Sequence, residues 1–125
     1  MVDDGKLRGY PLEREVWRKA MSDITELHRA LLARILDGSA AAPRELRKAA
    51  FDNAGLDEPM RTLVDKVALR SYQVTDEDIA AAGAAGLSED QIFEIMVCAA
   101  VGQATRQYTG ALQALAGATG ERGQR

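Results

Sequence analysis

Arg106 is the only charged residue between Ile95 and Gly120, and Gln103, Gln107 and Tyr108 bracket it. A guanidinium in so apolar a stretch needs a carboxylate, a cluster of carbonyls or an anionic ligand. The structural reading, which is preferred, is an ion pair between subunits with an acid such as Glu94, Asp76 or Asp78, because acids gather at helix starts and arginine pairs with them readily. The functional reading places Arg106 at the mouth of an oligomer pocket as an anion-binding group, with Gln103 and Tyr108 as further ligand-binding candidates. His28 lies among Ile24, Leu27, Leu31 and Leu32 at helical spacing. Its ordinary pKa suits a general base at neutral pH. With no second histidine and no cysteine nearby, a structural histidine at the border of a core is preferred. Cys98 is the only cysteine, which excludes an intramolecular disulfide, a Cys-x-x-Cys pair and a cysteine-rich zinc site. Flanked by Val97 and Ala99, its thiol is expected to be buried, raised in pKa and inert. No metal site is expected.

The elements that must position these residues are helices. The chain is rich in alanine and poor in aromatic residues, at 5%, a mixture that favours helix over strand. Leu12, Val16, Ala20, Ile24, Leu27, Leu31 and Ile35 form one helical stripe, with Pro11 in the first turn and Gly38 as the stop. A small loop, Ser39-Ala40-Ala41-Ala42, leads to Pro43, which opens a second helix through Leu46, Ala50 and Phe51 that ends at Asn53-Ala54-Gly55. Asp57 is expected to cap a third helix, with Pro59 in its first turn and Met60, Leu63, Val64 and Val67 as its apolar side. Thr75 to Asp78 and Ser88 to Gln91 read as capping boxes. The first starts a short helix that stops near Gly83 or Gly86, and the second starts the last and longest one. Residues 1–10 and 117–125 are expected to be flexible ends around a single helical domain over 11–116.

At 125 residues the chain has the length of one domain, and its net charge of −3 argues against an electrostatic nucleic-acid binder. Ala82, Gly86 and Ile92 have the spacing of a DNA-binding helix-turn-helix, but the helix that would enter the groove begins Ser88-Glu89-Asp90-Gln91, which repels phosphate. The longest apolar run, Ile95 to Val101, is far short of the roughly 20 residues that cross a bilayer. The start of the chain lacks a signal-peptide pattern, so a cytoplasmic protein is expected. No P-loop, dinucleotide-binding glycine pattern, EF-hand or serine elbow occurs, and no cofactor is expected.

Residues 71–125 hold 3 basic and 7 acidic side chains, against 13 and 12 in residues 1–70. A terminal helix with so little charge around its circumference is buried on more than one side. Phe93, Val97, Val101, Ala104, Tyr108, Leu112 and Leu115 form its large apolar side, and Cys98, Gly102, Thr105 and Thr109 a side of small residues on which another backbone can come close. The helix over 88–116 is therefore expected to be shared between the core and a subunit interface.

The segment from Val74 onward, V-T-D-E-D-I-A-A-A-G-A-A-G-L-S-E-D-Q-I-F-E-I-M-V-C-A-A-V-G, resembles the helical hairpin of the carboxymuconolactone decarboxylase and alkylhydroperoxidase-like superfamily. There a helix ending in Ala-Ala-Gly is followed by Leu, a capping Ser or Thr, acids and a long alanine-rich helix. The earlier L-V-D-K-V-A resembles the preceding helix, so the likeness covers about residues 59–116. The resemblance implies an all-α bundle of about five helices assembled as a trimer or hexamer. Peroxidase-type members carry a Cys-x-x-Cys pair and a following histidine; counting back from Gly86 puts those places at Ser71, Val74 and Asp78. A peroxidase of this type needs one thiolate to attack and a second to resolve, so dithiol chemistry is not expected here. Tyr72 and Asp78 flank the altered position and are catalytic candidates, able to orient a substrate or move a proton, although Asp78 already closes a capping box. Decarboxylase-type members act on a cyclic acid in a pocket between helices. The expected function is accordingly a small-molecule-binding protein, or a non-redox enzyme of lyase or isomerase type, with its pocket between helices or subunits. The alternative is a non-catalytic oligomerisation module that supports a partner protein.

Overall fold

The computed structural model describes the backbone of residues 11–119 and the side chains of residues 14–118. The expected flexible N-terminus over 1–10 and the tail from residue 120 lie outside the described residues. All regular structure among the described residues is helical: α1 (Pro11–Asp37), α2 (Arg44–Asp52), α3 (Met60–Leu69), a 3-10 turn (Ser71–Gln73), α4 (Asp76–Ala84) and α5 (Glu89–Thr119). No described helix is long and apolar enough to cross a membrane.

The chain divides between Gly38 and Ser39 into two compact units. The first holds α1, a 27-residue helix. Its charged face is laced by exposed pairs, Arg18 with Glu15 and Lys19 with Asp23, each worth only a few tenths of a kcal/mol. Val16, Ile24, Leu27 and Leu31 of the expected apolar stripe remain exposed, as does Trp17 beside it. The Gly38 N–H closes the helix on the Arg34 carbonyl at 3.1 Å.

The second unit packs α2, α3 and α4 against α5. Ala50 of α2, Leu63 and Val64 of α3, Ala82 of α4 and Ile95 and Ala99 of α5 have no exposed surface. Along α5 the buried positions Ile92, Ile95, Cys98, Ala99 and Gly102 recur at helical spacing, and this is the side of small residues. Gly102 shows why it has to be small. A Cβ there would lie 2.7 Å from the carbonyl carbon and 2.9 Å from the Cα of Phe51. The backbone that comes close to α5 at this point is thus the chain's own α2.

The ends of the elements follow from local chemistry. Asn53 leaves α2 in the left-handed conformation (φ 52°), and Gly86 follows α4 at φ 106°. The Thr75–Asp78 box is complete in both directions. Ser88 and Gln91 form the second box, with the Ser88 N–H donating to Gln91 Oε1 at 2.9 Å and the Gln91 N–H to Ser88 Oγ at 3.1 Å. The start of α3 differs from expectation. The Glu58 carboxylate, not that of Asp57, takes the Thr62 N–H at 3.1 Å and the Thr62 hydroxyl at 2.6 Å, because the helix begins at Met60 and only the longer side chain reaches four residues on. Residues 117–119, expected to be part of a flexible tail, continue α5.

Candidate functional site

Arg106 stands on α5 one turn beyond Gly102, and the close approach there decides its partner. Its Nη1 donates to the Phe51 carbonyl at 2.6 Å and its Nη2 to Gln103 Oε1 at 2.9 Å. Of the three partners a guanidinium could find here, the structure supplies carbonyl oxygen, at the end of α2 where the helix dipole favours a cation. Gln103 is brought to Arg106 and occupied by it. Tyr108 is half-buried two residues further on. Of the three acids expected opposite Arg106, Asp78 is engaged at the base of α4 and Glu94 on the loop before α2, while Asp76 lies in the first turn of α4.

Asp78 holds α3 and α4 together. Its Oδ2 accepts from Lys66 Nζ at 2.9 Å, from the Thr75 N–H at 2.9 Å and from Thr75 Oγ1 at 3.1 Å. The Lys66 hydrogen bond, followed by that of the Thr75 backbone, lowers its pKa below the ordinary carboxylate value. A carboxylate held so firmly in its charged form is a poor proton carrier near neutral pH. Tyr72, on the 3-10 turn, is 83% exposed, so no pocket wall surrounds its phenol. Ser71 and Val74 belong to the same turn, with the Val74 N–H donating to the Ser71 carbonyl at 3.2 Å. His28 lies on α1, half-buried, in the unit that holds none of the other candidates.

Cys98 is buried, as its flanking residues imply, and burial pushes its pKa up, outweighing the pull of Arg47. The two groups whose charge it feels, Arg47 and Glu94, are the residues that sequence reasoning placed least well. Arg47 is 5% exposed although it sits in the charged run Arg44-Glu45-Leu46-Arg47-Lys48. Its Nε donates to the Ala42 carbonyl at 3.1 Å. The Glu94 carboxylate accepts the Ala41 N–H at 3.0 Å and the Ala42 N–H at 2.8 Å. These two bonds, Ala41 first, hold Glu94 below the ordinary carboxylate range. The only hint of this in the sequence is the position of Arg47, one turn into a helix whose buried side includes Ala50.

A groove of about 430 Å³ lies in the second unit between α2, the loop before α3 and the turn after α4, lined by Leu46, Ala49, Leu56, Met60 and Leu87 together with Glu45, Asp57 and Glu58. Tyr72, Asp78, Gln103, Arg106 and Tyr108 do not line it, and neither does His28. No group of three or more His, Cys, Asp or Glu among the described residues could hold a metal ion.

Comparison with protein-family models, curated proteins and solved structures gives no match. The residues that could have done chemistry are therefore understood from their own geometry. Asp78 and Arg106 close or join helix ends, Cys98 fills the core, and none of the candidates lines the groove beside α2.

Proposed function

We propose that the chain is a non-catalytic helical oligomerisation module, a homo-oligomer that presents α5 to its neighbours and supports a partner protein. The observation that carries this reading is the exposed apolar surface on one side of α5. Cys98 and Gly102 of its small side are buried within the chain, whereas Phe93 is 68% and Leu112 37% exposed on the opposite side. Apolar surface of that kind along a helix is what subunit interfaces bury. The stretch is nearly uncharged, so a second copy meets it without leaving a charge unpaired. A trimer or hexamer of the alkylhydroperoxidase-like kind, in the cytoplasm, agrees with this reading and with the likeness of residues 59–116 to that superfamily.

A second reading rests on the groove of about 430 Å³, whose mainly apolar lining suits a small molecule. It retains the family's non-redox chemistry as a proposal, with the ligand unidentified. Native mass spectrometry and sedimentation over a concentration series test the two readings together. The expected result is a discrete oligomer without an added mass, and a Phe93→Lys/Leu112→Lys variant that runs as a helical monomer. A wild-type monomer at every concentration overturns the assembly reading, and a reproducible adduct of small-molecule mass supports the groove.

A further inference from the structure

Part of the apolar side of α1 has a spacing of its own. Trp17, Ile24 and Leu31 recur every seven residues, with Ala20, Leu27 and Arg34 between them, so these positions alternate by four and three. A mean spacing of about 3.5 residues keeps one narrow seam facing a partner helix along its whole length. Trp17 is 66%, Ile24 48%, Leu27 71% and Leu31 45% exposed. Ala20 is half-buried, and Arg34 is exposed at the end of the seam. Charges beside the seam are matched within the helix, Arg18 by Glu15 and Lys19 by Asp23. Arg34 is in no such pair among the described residues.

We infer that this seam is a second interface between copies of the chain, in which two α1 helices pair antiparallel about a two-fold axis between Thr25 and Glu26. It rests on the α5 assembly proposed above, whose copies it joins further. Size and charge fix the direction. In a parallel pair each seam residue meets its own counterpart, so two Arg34 guanidinium groups face each other and two Ala20 methyls leave a gap. The antiparallel pair about this axis sets Ile24 against the partner's Leu27, Ala20 against the partner's Leu31 and Trp17 against the partner's Arg34. Each small residue then meets a large one. The one charge meets an aromatic face, whose quadrupole attracts a guanidinium. By symmetry each of these layers occurs twice, as a self-complementary two-fold contact requires. From residue 17 to residue 34 the seam is only about 27 Å long, a small contact that holds single copies weakly. Copies already linked through α5 present several seams together, and the raised effective concentration makes up the difference.

Trp17 is the only tryptophan, so its emission reports on α1 and not on α5. Wild type, Ile24→Lys, Leu27→Glu and an equimolar mixture of the two variants are compared by sedimentation velocity and tryptophan emission over a concentration series. Both positions are exposed, and Lys and Glu are good helix formers, so helix content is expected to be retained. The wild-type emission maximum is expected to move to the blue as the assembly forms. Each variant alone sets a charge against an apolar residue twice in every pair. Each is expected to lose the blue shift and to sediment at a smaller mass than wild type. In the mixture the two new charges are opposite in sign and face each other, while the other central layer is native, so both readouts are expected to return toward wild type. A mixture that shows no recovery overturns the antiparallel register. Single variants that match wild type in both readouts overturn the α1 interface and leave the α5 reading standing. The α5 reading fails by different results. A wild-type monomer at every concentration overturns both interfaces, whereas an assembly that survives Phe93→Lys/Leu112→Lys and is lost in Ile24→Lys supports the α1 interface alone.

Discussion

Replacing Gly102 with alanine tests the packing that places Arg106 and isolates the small side of α5. In the middle of a helix that substitution normally stabilises, by about 1 kcal/mol, because alanine loses less chain entropy. At Gly102 the new methyl would lie 2.7 and 2.9 Å from carbon atoms of the Phe51 backbone, against a comfortable carbon–carbon separation of about 3.5–4.0 Å. A main chain cannot rotate aside as a flexible side chain can, so α2 has to move by about 1 Å. A shift of that size forfeits a quarter to a half of the dispersion attraction at each affected contact, and overpacking of a dense core costs about 3 kcal/mol at the upper end of its usual range. Net of the propensity gain, Gly102→Ala is expected to destabilise by about 2 kcal/mol. With a urea slope of about 1–2 kcal/mol/M for a chain of this size, the midpoint of far-ultraviolet circular dichroism falls by roughly 1–2 M. Gly83→Ala is the internal control, since a Cβ at Gly83 meets nothing within 4 Å, and it is expected to leave the midpoint unchanged or raise it. A Gly102→Ala protein as stable as wild type would refute the close α2–α5 approach.

Arg106→Ala removes a donor from the last turn of α2 and is expected to cost about 1 kcal/mol, the usual net value of a hydrogen bond, read as a lowered urea midpoint with helix content retained. An unchanged midpoint would remove Arg106 from its structural role and return it to the ligand-binding candidates. Acid behaviour follows from Glu58, Asp78 and Glu94, whose folded pKa values lie below their ordinary ones through Thr62, Lys66 and the Ala41 amide respectively. Such groups bind protons more readily in the unfolded chain, so their contribution is fully present above the ordinary carboxylate range near pH 4 and is lost as the pH falls through and below it. Thermal midpoints measured from pH 7 down to pH 3 are expected to drop across that window, less steeply in Asp78→Asn. A midpoint that held steady to pH 3 would contradict all three assignments.

The helix ends were the most legible part of the fold, because their signals are local. Thr75 with Asp78, Ser88 with Gln91 and the Asn53 turn each complete their hydrogen bonds within a few residues, so spacing alone suffices to find them. The small side of α5 was legible as a place for a close backbone, but not as to whose. Gly102 constrains the distance of approach and carries no mark that distinguishes α2 of the same chain from a helix of another. The anchoring of Ala41 and Ala42 was illegible for a physical reason. Its hydrogen bonds come from main-chain groups that every residue possesses, and its partners Arg47, Gln91 and Glu94 lie up to 53 positions away.

The same distinction explains why the candidate site dissolved into structural roles. A unit built around Ala50, Ala82, Ala99 and Gly102 brings helices close together, and close helices bring their unpaired terminal carbonyls and amides within reach of side chains on the neighbouring helix. Side chains of the neighbouring helix then satisfy those groups. Arg106 on the Phe51 carbonyl, Arg47 on the Ala42 carbonyl and Glu94 on the Ala41 and Ala42 amides are solutions to that one problem. Arg106, a lone charge in an apolar stretch, resembles a catalytic group for the same reason it serves as a cap: a charged side chain makes the strongest hydrogen bond available to a main-chain group. Two properties would separate a catalytic charge from these: convergence on a cavity and a polar atom left for a ligand. The candidates do not line the groove beside α2, whose charged lining is Glu45, Asp57 and Glu58.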